Sequence, residues 1–559
     1  MAVTNRAKKP ERLPTWAQKG KLRLAHVFGG PLETARLILS GRWDHSLKEL
    51  MGTARYSPAL DERLGAHKFN AVCLTWSAGF SHAGEAVQRE TIAALMPLLK
   101  KRKIRTIASI SVAAANMEEL VKVNPESNEW MLRGDNQLHI SDEPGSRFVK
   151  MNLNHPGWRE YIAQKAKSAL DAGFDGIFID DSLAGETAGM AGLLRELREN
   201  LRTHRGPDAE EILFYCNSFG VPVLSLIGNM HCCTAFWLPG FHDTLPGGFD
   251  SGLVFLKQVF EAGGRDKPFC NGFVGLSGEA LVDKPPVAHV TSSVPSEIPD
   301  SKLSALYAAE CLASGGLCVE LDAPENIQRF QAERTALFGV MDPVNSIAVL
   351  ADDCSEFVSA GTLPLMLLRR NIQFDLIPMT CIEHFDLKKY KLVSAIGLQT
   401  IPAATAEALG AFVRRGGTAL VSSGLAGVDF SALKTPVEAR LESAEGDGKV
   451  IVYPAAETTS DAVLNDFKLL GGEMPMEVNG PDGVIALLWG KGTRRWVHVL
   501  NYRNEPAEAT IKLPGCGGRK LNVLSPGEIQ PVLTVLETGT ACATFLLSGI
   551  QTWAVVEVI

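Results

Sequence analysis

The chain has 559 residues and a mass of 60.3 kDa, several times the size of one ordinary domain, so the sequence predicts several hydrophobic cores. Hydrophobic residues make up 46% and charged residues 21%, which is typical of folded globular proteins and excludes the disordered, collagenous and coiled-coil classes. The 55 Lys and Arg and the 63 Asp and Glu give a net charge of −8 without long runs of one sign, which argues against a nucleic-acid-binding groove.

The N-terminal segment and the cysteines bear on the compartment. Residues 1–20 form a basic N-terminal tail without the apolar core of a signal peptide, and no apolar stretch long enough to span a membrane follows. The 11 cysteines include no Cys-x-x-Cys pair, a usage typical of reduced thiols. These features predict a cytoplasmic protein without a membrane segment.

Residues 21–340 alternate short apolar, β-branched runs with amphipathic helical patterns, as repeated βα units do. The strand candidates are LRLAHVF from Leu22, NAVCLTW from Asn70, IRTIASISV from Ile104, DGIFIDD from Asp175, ILFYCNS from Ile212, CCTAFWL from Cys232, KPFCNGF from Lys267 and GGLCVEL from Gly315. Eight such units predict a (β/α)8 TIM barrel as the catalytic domain. The alternative is an open doubly wound sheet, but no Gly-rich phosphate loop follows the first strand.

The clearest helical pattern lies between the third and fourth strands. Pro156 suits the first position of a helix, and Gly173 supplies a stop. The apolar residues that fall on one face of this helix are Trp158, Ile162, Ala166 and Ala169.

Two further domains are predicted after the barrel. Residues 344–430 show a shorter α/β pattern, from SIAVLADD to GTALVSS, which predicts a small flavodoxin-like sheet. From residue 445 to residue 559 short alternating strands follow, including VIVY, GVIALLW, RRWVHVLNY and TWAVVEV, which predict a C-terminal β-sandwich. The predicted fold class is therefore α/β, with these domains in this order.

Barrel enzymes carry their reactive groups at the carboxyl ends of the strands and in the loops that follow. Amides, charged groups and aromatic rings at such positions suit a sugar, because hydroxyls need hydrogen-bond partners and sugar faces stack on indole. The predicted substrate-binding residues are His26, Trp76, Glu85, Arg133, Asp181, Asn217, Trp237 and Asn271. Of these, Trp76 and Trp237 are expected to stack on the sugar, and Asn217 and Asn271 to bind its hydroxyls.

The sharpest feature is GFDGIFIDDS, in which Asp180 and Asp181 end an apolar strand. Burying them unpaired would cost several kcal/mol, so this strand end is expected to open onto water or a ligand. Adjacent strand residues point to opposite faces, so only one of them can face the barrel axis. One of the two is therefore the candidate catalyst, and the alternative is that both carboxylates cap the next helix or fix its loop.

A glycosidase needs a second carboxylate. The candidates are Glu320 at the end of the eighth strand, Asp243 in GFHDT and Glu85 in TWSAGFSHAGE. Two of them have a structural alternative, a salt bridge for Glu320 and a helix start for Glu85. In the long third loop, Arg133 or Arg147 could face a substrate carboxylate, and His139 could then transfer a proton.

No metal or cofactor is predicted, because the chain has neither an HExxH motif nor a His-x-His after the first strand. A metal-dependent hydrolase or isomerase is still kept as an alternative. So is a non-catalytic carbohydrate-binding or assembly protein with this architecture.

The domain order resembles that of the family 42 β-galactosidases, and NIQFDLIPMTCIEHFDLKKYKLVSAIG with FVRRGGTALVSS looks like their middle domain, which mediates trimerisation. The resemblance implies a homo-oligomer, a dimer or a trimer. At the catalytic positions the chain differs from that family, which carries Asn-Glu after the fourth strand and Glu after the seventh, where this chain has Asp-Asp and CNG.

Two other resemblances concern the catalytic residues. GFDGIFIDDS looks like the fourth strand of α-galactosidase-like and α-fucosidase-like barrels, which implies that Asp180 is the nucleophile. The domain order is also similar to that of the inverting exosialidases of family 156, which use a His with an Asp, a role that His139 would fill. The sequence therefore predicts an exo-acting glycoside hydrolase acting on an oligosaccharide or glycoside.

Overall fold

The computed structural model of the chain divides into two compact units, each described here by itself. The first is Met1–Ser218, Val223–Cys233 and Lys284–Val287, and the second is Phe219–Pro222, Thr234–Asp283 and Ala288–Ile559. The structure describes residues 14–17, 22–27, 32, 35, 39, 56, 58–135, 137–140, 147–180, 187–206, 211–216, 231–233, 286–288, 305–306, 308–309, 312–313, 317–318, 324–339, 342–351, 363, 366–367, 370–379, 382, 385–426, 436–437, 440–445, 448–454, 461–481, 483–501, 503, 505–537 and 539–559.

The first unit alternates strands and helices. Its strands are β1 (Leu24–Val27), β2 (Ala71–Ser77), β3 (Arg105–Ser111), β4 (Ala114–Asn116), β5 (Arg133–Gly134), β6 (Gln137–Leu138), β7 (Phe148–Lys150), β8 (Gly176–Asp180), β9 (Leu213–Cys216) and β10 (His231–Cys233). Its helices are α1 (Pro58–Ala66), α2 (Ala86–Lys101), α3 (Met117–Val123), α4 (Pro156–Asp171) and α5 (Thr187–Arg205), with 3₁₀ turns at Thr15–Ala17 and Pro125–Trp130.

The helix α4 forms for the reasons that the sequence predicted. It begins at Pro156, its last helical residue is Asp171, and Gly173 follows at φ +96°, a conformation that glycine adopts at little cost. The ring of His155 accepts a hydrogen bond from the backbone N–H of Gly157 at 3.1 Å and caps the first turn. The apolar face is buried at Trp158, Ile162, Ala166 and Ala169, which confirms the predicted pattern.

The main sheet of the first unit has five strands in the order β1-β2-β3-β8-β9. Every neighbouring pair is parallel, and each strand coincides with one of the first five predicted candidates, except that β2 extends one residue beyond NAVCLTW, to Ser77. Strands that are neighbours in this sheet also follow one another in the βα alternation, so the order lacks the reversal that marks a doubly wound sheet. This sequential order is the one that a barrel requires.

The sheet is strongly curved. In a flat sheet β1 and β8 would be about 14 Å apart, because strands are spaced by about 4.8 Å. The rings of His26 on β1 and Phe178 on β8 nevertheless meet edge to face, with centroids 5.0 Å apart. Their side chains must therefore share a concave face. Closure into eight strands stays a prediction, because KPFCNGF lies outside the described residues and most of CCTAFWL does too.

Strand β11 is Pro286–Ala288. The second unit then contains β12 (Leu317–Cys318), α6 (Glu325–Glu333), α7 (Thr335–Gly339), β13 (Asp342–Pro343), β14 (Ile347–Ala351), β15 (Asp375–Pro378), a 3₁₀ turn (Leu387–Lys389), β16 (Leu392–Ala395), α8 (Ala403–Arg414), β17 (Thr418–Ser422), β18 (Pro436–Val437), β19 (Arg440–Glu445), β20 (Gly448–Tyr453), α9 (Asp461–Leu470), β21 (Glu477–Asn479), β22 (Val484–Lys491), β23 (Arg494–Asn501), β24 (Ala507–Pro514), β25 (Leu521–Leu524), β26 (Val532–Glu537), β27 (Cys542–Ile550) and β28 (Trp553–Val558).

A seven-stranded sheet of the second unit has the order β15-β14-β16-β17-β20-β19-β18. Its first five strands are parallel, and taken in chain order they are arranged 2-1-3-4-5, as in flavodoxin. The fifth parallel strand contains VIVY, which the sequence analysis had assigned to the β-sandwich. A short apolar strand does not reveal from its own residues which sheet it joins.

Two antiparallel sheets, β13-β22-β23-β28-β25 and β21-β24-β27-β26, complete the second unit. Inward-facing residues of both sheets form one apolar core, which includes Leu488, Val497, Ile511, Phe545 and Val556. This is the arrangement of a β-sandwich. Within the described part of the chain, the helices are too short or too polar to cross a bilayer.

Candidate active site

Asp180 is the last residue of β8 and faces the concave side of the curved sheet. Alternation along the strand places it on the same face as Phe178, whose ring meets His26 across that side. The opposite face is identified independently, since Ile177 pairs in register with Phe214, and Phe214 packs under the guanidinium of Arg198 on α5. The Asp180 side chain is partly exposed, in contrast to the four buried residues that precede it in β8.

The backbone around Asp180 is held by two other elements. The N–H of Val112, just after β3, donates to the Asp180 carbonyl at 3.3 Å. The Val112 carbonyl in turn accepts from the indole Nε1 of Trp158 on α4 at 2.9 Å, and Trp158 is fully buried. The end of β8 is therefore anchored to β3 and, through Val112, to the helix layer.

Hydroxyl groups line the concave face beside and below Asp180. Ser111 is its register partner on β3, and Ser109 lies two residues earlier on the same face, beside Thr75 of β2. All three are at least 96% buried and can donate or accept hydrogen bonds. The sequence analysis missed them because it weighted charged and aromatic residues. The signal was the pair of serines at spacing two in the apolar strand IASIS.

His26 lies deeper on the same face. Its register partners across the sheet are Cys73, Ile107 and Gly176, so it is level with the start of β8 rather than with its end. Its side chain is only 6% exposed. Contact between His26 and a substrate stays a prediction, and it would require a ligand group that reaches below Asp180.

Trp76 lies on the other face of the sheet, which differs from the predicted position. Its indole Nε1 donates to Ser168 Oγ on α4 at 3.1 Å, its ring meets Phe174 edge to face, and the Arg89 guanidinium of α2 lies 5.8 Å from the ring centroid. These contacts bury Trp76 between the sheet and its helices, away from the face that carries Asp180. The face on which a strand side chain lies follows from the alternation of side chains along the strand, and not from closeness to the strand end.

Glu85 is enclosed at the start of α2, with a fully buried carboxylate. One oxygen accepts from the Ser77 hydroxyl at 2.6 Å and from the N–H groups of Ala78 and Phe80, and the other pairs with Lys165 of α4 and with Arg89. Burial raises the pKa of Glu85 and lowers that of Lys165, while their mutual attraction opposes both shifts. Because both carboxylate oxygens already have protein donors, Glu85 holds the loop after β2, and a direct role toward substrate lacks support from this geometry.

Arg133 and His139 lie in the hairpin of β5 and β6 that follows β3, and both side chains are exposed. Arg133 Nη2 donates to Asn128 Oδ1 at 2.9 Å, and the backbone of His139 is bonded to Leu132 and Lys150. These contacts are all internal to the third loop. The catalytic role of His139 and the binding role of Arg133 stay predictions.

Six other predicted site residues lie outside the described residues: Asp181, Asn217, Trp237, Asp243, Asn271 and Glu320. Their assigned roles stay predictions. Within the described ranges, no three His, Cys, Asp or Glu side chains cluster as a metal site would require.

Three solved structures that this chain resembles are glycoside hydrolases. An α-L-fucosidase (isoenzyme 2) from Paenibacillus thiaminolyticus matches 96% of this chain and 99% of its own, with a TM-score of 0.63 and 13% identity. A catalytic mutant of a GH42 β-galactosidase from G. stearothermophilus matches 89% and 95%, with a TM-score of 0.59 and 12% identity. The β-galactosidase from Bacillus circulans sp. alkalophilus matches 99% and 100%, with a TM-score of 0.58 and 11% identity.

These likenesses extend over nearly the whole length of each chain, so they show a shared mixed α/β fold. They confirm the architectural resemblance that the sequence predicted. At 11 to 13% identity none of the three is a close relative. No protein-family model matches the chain, and no curated protein sequence matches it.

Proposed function

We propose that this protein is an exo-acting glycoside hydrolase in which Asp180 is the nucleophile or the general base. The observation that carries the proposal is the position of Asp180 at the carboxyl end of β8, on the concave face and partly exposed. In parallel α/β folds ligands bind outside this end of the strands. The glycoside hydrolases with a similar fold support the same class of reaction.

The proposed reaction requires Asp180 and a second carboxyl group to act together. An ionised carboxylate can attack the anomeric carbon or take a proton from an attacking water, while an acid protonates the departing glycosidic oxygen. The net change is the addition of one water across the glycosidic bond. Asp243 and Glu320 are the candidates for the acid that the sequence supplies, and Glu85 is less suited because its carboxylate is enclosed. The distance between the two carboxyl groups would decide between retention and inversion.

The test is the activity of Asp180→Asn on a panel of aryl α- and β-glycosides that includes a sialoside. We expect the wild-type protein to hydrolyse at least one of them and the variant to lose at least about a hundredfold in kcat. Asp175→Asn is a matched control, because Asp175 lies just before β8 at its other end and pairs there with Arg105 at 2.7 Å. The control should keep kcat.

A folded Asp180→Asn variant with unchanged turnover would refute the role of Asp180. Sugar binding detected by thermal shift, without turnover of any glycoside in the panel, would instead favour the non-catalytic carbohydrate-binding alternative.

A further inference from the structure

Four large apolar side chains that the second unit exposes to solvent lie close together along the chain, in β26 and just before it. They are Ile529, Val532, Val535 and Leu536, and between 45% and 64% of each is exposed. Together they form an apolar patch on the order of a few hundred Å², a size that on a single protein molecule often marks a binding surface.

The backbone of β26 is open to another strand as well. The sheet has the order β21-β24-β27-β26, and among the described residues the backbone of β26 pairs with β27 alone. Natural edge strands are usually protected by lysine, other charges, proline or a bulge. Residues 532–536 contain no charge and no proline, and the bulge between Val535 and Glu537 leaves residues 532–535 regular. The edge of β26 is therefore weakly protected against pairing.

The core of the β-sandwich is also uncovered beside β26. Val535 is on the core side of its sheet, because its register partner Phe545 belongs to the core, yet 45% of Val535 is exposed. The strand β25, which contacts β26 and is the edge of the opposite sheet, is only partly buried along its whole length. A partner that extends the sheet at β26 would cover this side of the core.

A second copy of this chain fits this surface. Two identical edge strands that pair antiparallel about a two-fold axis match outward donors with acceptors by symmetry. Residues 532–535 are valine, leucine, threonine and valine, so antiparallel pairing of this segment with itself sets uncharged side chains against one another. The two Glu537 carboxylates would lie at opposite ends of the pair, about 20 Å apart.

The area of the patch agrees with such a pair. Two patches of this size, with the strand backbones and the polar side chains between them, come to on the order of 1,000 Å² of buried surface. That is about what a specific interface between two proteins needs.

We propose that β26 is an interface between two copies of this chain, which pair antiparallel through this strand across a two-fold axis. The two four-stranded sheets then become one sheet of eight strands. This interface does not depend on the proposed glycosidase function, and it is a different surface from the flavodoxin-like segment.

The experiment measures the mass of the full chain by size-exclusion chromatography with light scattering. Thr534 lies in the middle of β26, near the proposed axis, so in Thr534→Lys the new charges of the two copies would meet and the mass should be halved. Thr534→Glu should have the same effect. An equal mixture of the two variants should restore the wild-type mass, because unlike charges then face each other. Val532→Lys tests the same edge if Thr534→Lys does not fold.

Leu469→Lys is the matched control, because Leu469 on α9 is 75% exposed and belongs to the same unit. It should keep the wild-type mass. The proposal is overturned if the wild-type protein has the mass of one chain over a range of concentrations, or if the folded β26 variants keep the wild-type mass. It is also overturned if Leu469→Lys lowers the mass as much as they do. If the mixed lysine and glutamate variants stay apart, the copies do not meet through β26, and the proposal fails too.

Discussion

Asp180 and Glu85 are carboxylates at the same end of the first sheet, in opposite environments. Asp180 is partly exposed on the concave face, whereas Glu85 is fully buried against Lys165 between the strand ends and the helices. A buried ion pair of this kind gains its attraction only by losing the hydration of both groups. Glu85 therefore contributes to the placement of the loop after β2, and removing only one partner leaves an uncompensated charge.

We expect Glu85→Gln and Lys165→Met each to lower the free energy of unfolding of the first unit by about 3–5 kcal/mol. The double variant should be more stable than the sum of the single losses predicts, because neither charge is left unpaired. Urea unfolding of the full chain, compared through the midpoint of the affected transition, measures these losses. Strictly additive losses would show that the two groups are not coupled in the folded state.

The protonation state of His498 on β23 is likewise determined by its surroundings. It is 1% exposed, and its ring stacks on Trp553 at 5.8 Å and meets Phe338 edge to face. Among the described residues, no hydrogen-bond partner reaches its Nδ1. Burial in this apolar place lowers the pKa of His498 from 6.5 to about 3, so the imidazole is neutral in the folded protein.

This pKa shift predicts acid sensitivity of the second unit. Above pH 6.5 His498 is neutral in both the folded and the unfolded state, but between pH 6.5 and about 3 only the unfolded chain takes up the proton. The free energy of unfolding should therefore decrease as the pH is lowered through this window, by about 1.4 kcal/mol per pH unit for this one group. In His498→Phe that part of the loss should vanish, as thermal unfolding at pH 7, 6 and 5 would show. Parallel pH profiles of the two proteins would contradict the assignment.

At the scale of elements, the loop after β2 is tied to its neighbours by its own backbone. Gly79 has a φ of +83°, and its carbonyl accepts from the N–H of Asn116 on β4 at 2.7 Å. A Cβ at this position would come 2.4 Å from the Ala114 carbonyl oxygen, which is backbone and cannot move aside cheaply. Glycine is therefore required here both for its conformation and for the close approach of two loops.

Gly79→Ala should destabilise the first unit more than a positive φ alone explains. Gly206 is a suitable control, since it has a φ of +58° and open space where its Cβ would lie. Gly206→Ala should lower the free energy of unfolding by about 1 kcal/mol, and Gly79→Ala by at least about 2 kcal/mol because a steric clash is added. Equal losses in chemical denaturation would mean that the loop relaxes without strain.

At the scale of the whole molecule, the second unit is held together by a core that its two architectures share. Ile347 and Phe374 of the seven-stranded sheet region lie in one apolar cluster with Leu487, Trp489 and Trp553 of the β-sandwich. The side-chain amide of Gln373 adds bonds to both the N–H and the carbonyl of Leu488. The flavodoxin-like sheet and the sandwich therefore form one compact unit, although their sequence patterns differ.

We expect the protein to form a dimer or trimer, as the resemblance of its flavodoxin-like segment to a trimerisation domain implies. Size-exclusion chromatography with light scattering should give a mass of two or three times 60.3 kDa. A mass of one chain over a range of concentrations would refute this prediction.

The sequence by itself determined the local elements and the two kinds of α/β pattern. The periodicity, Pro156 and Gly173 were enough to predict α4, and five βα strands were found at their observed places, because these features depend on neighbours along the chain. The sequence also predicted that Asp180 ends a strand. Asp180 became a candidate catalyst because barrel enzymes carry their reactive groups at the carboxyl ends of the strands.

Only the tertiary structure decided which face each side chain takes. The concave face was identified by a contact between His26 of β1 and Phe178 of β8. These residues are 152 positions apart in the sequence, and no local pattern encodes such a contact. On that face Asp180 lies beside Ser111, whereas Trp76 packs against the helices and Glu85 is enclosed by Lys165 of α4. These environments depend on burial and on pairing between segments that are remote in the sequence. Local sequence patterns could therefore identify the candidate residues, but they could not show which of them face the site.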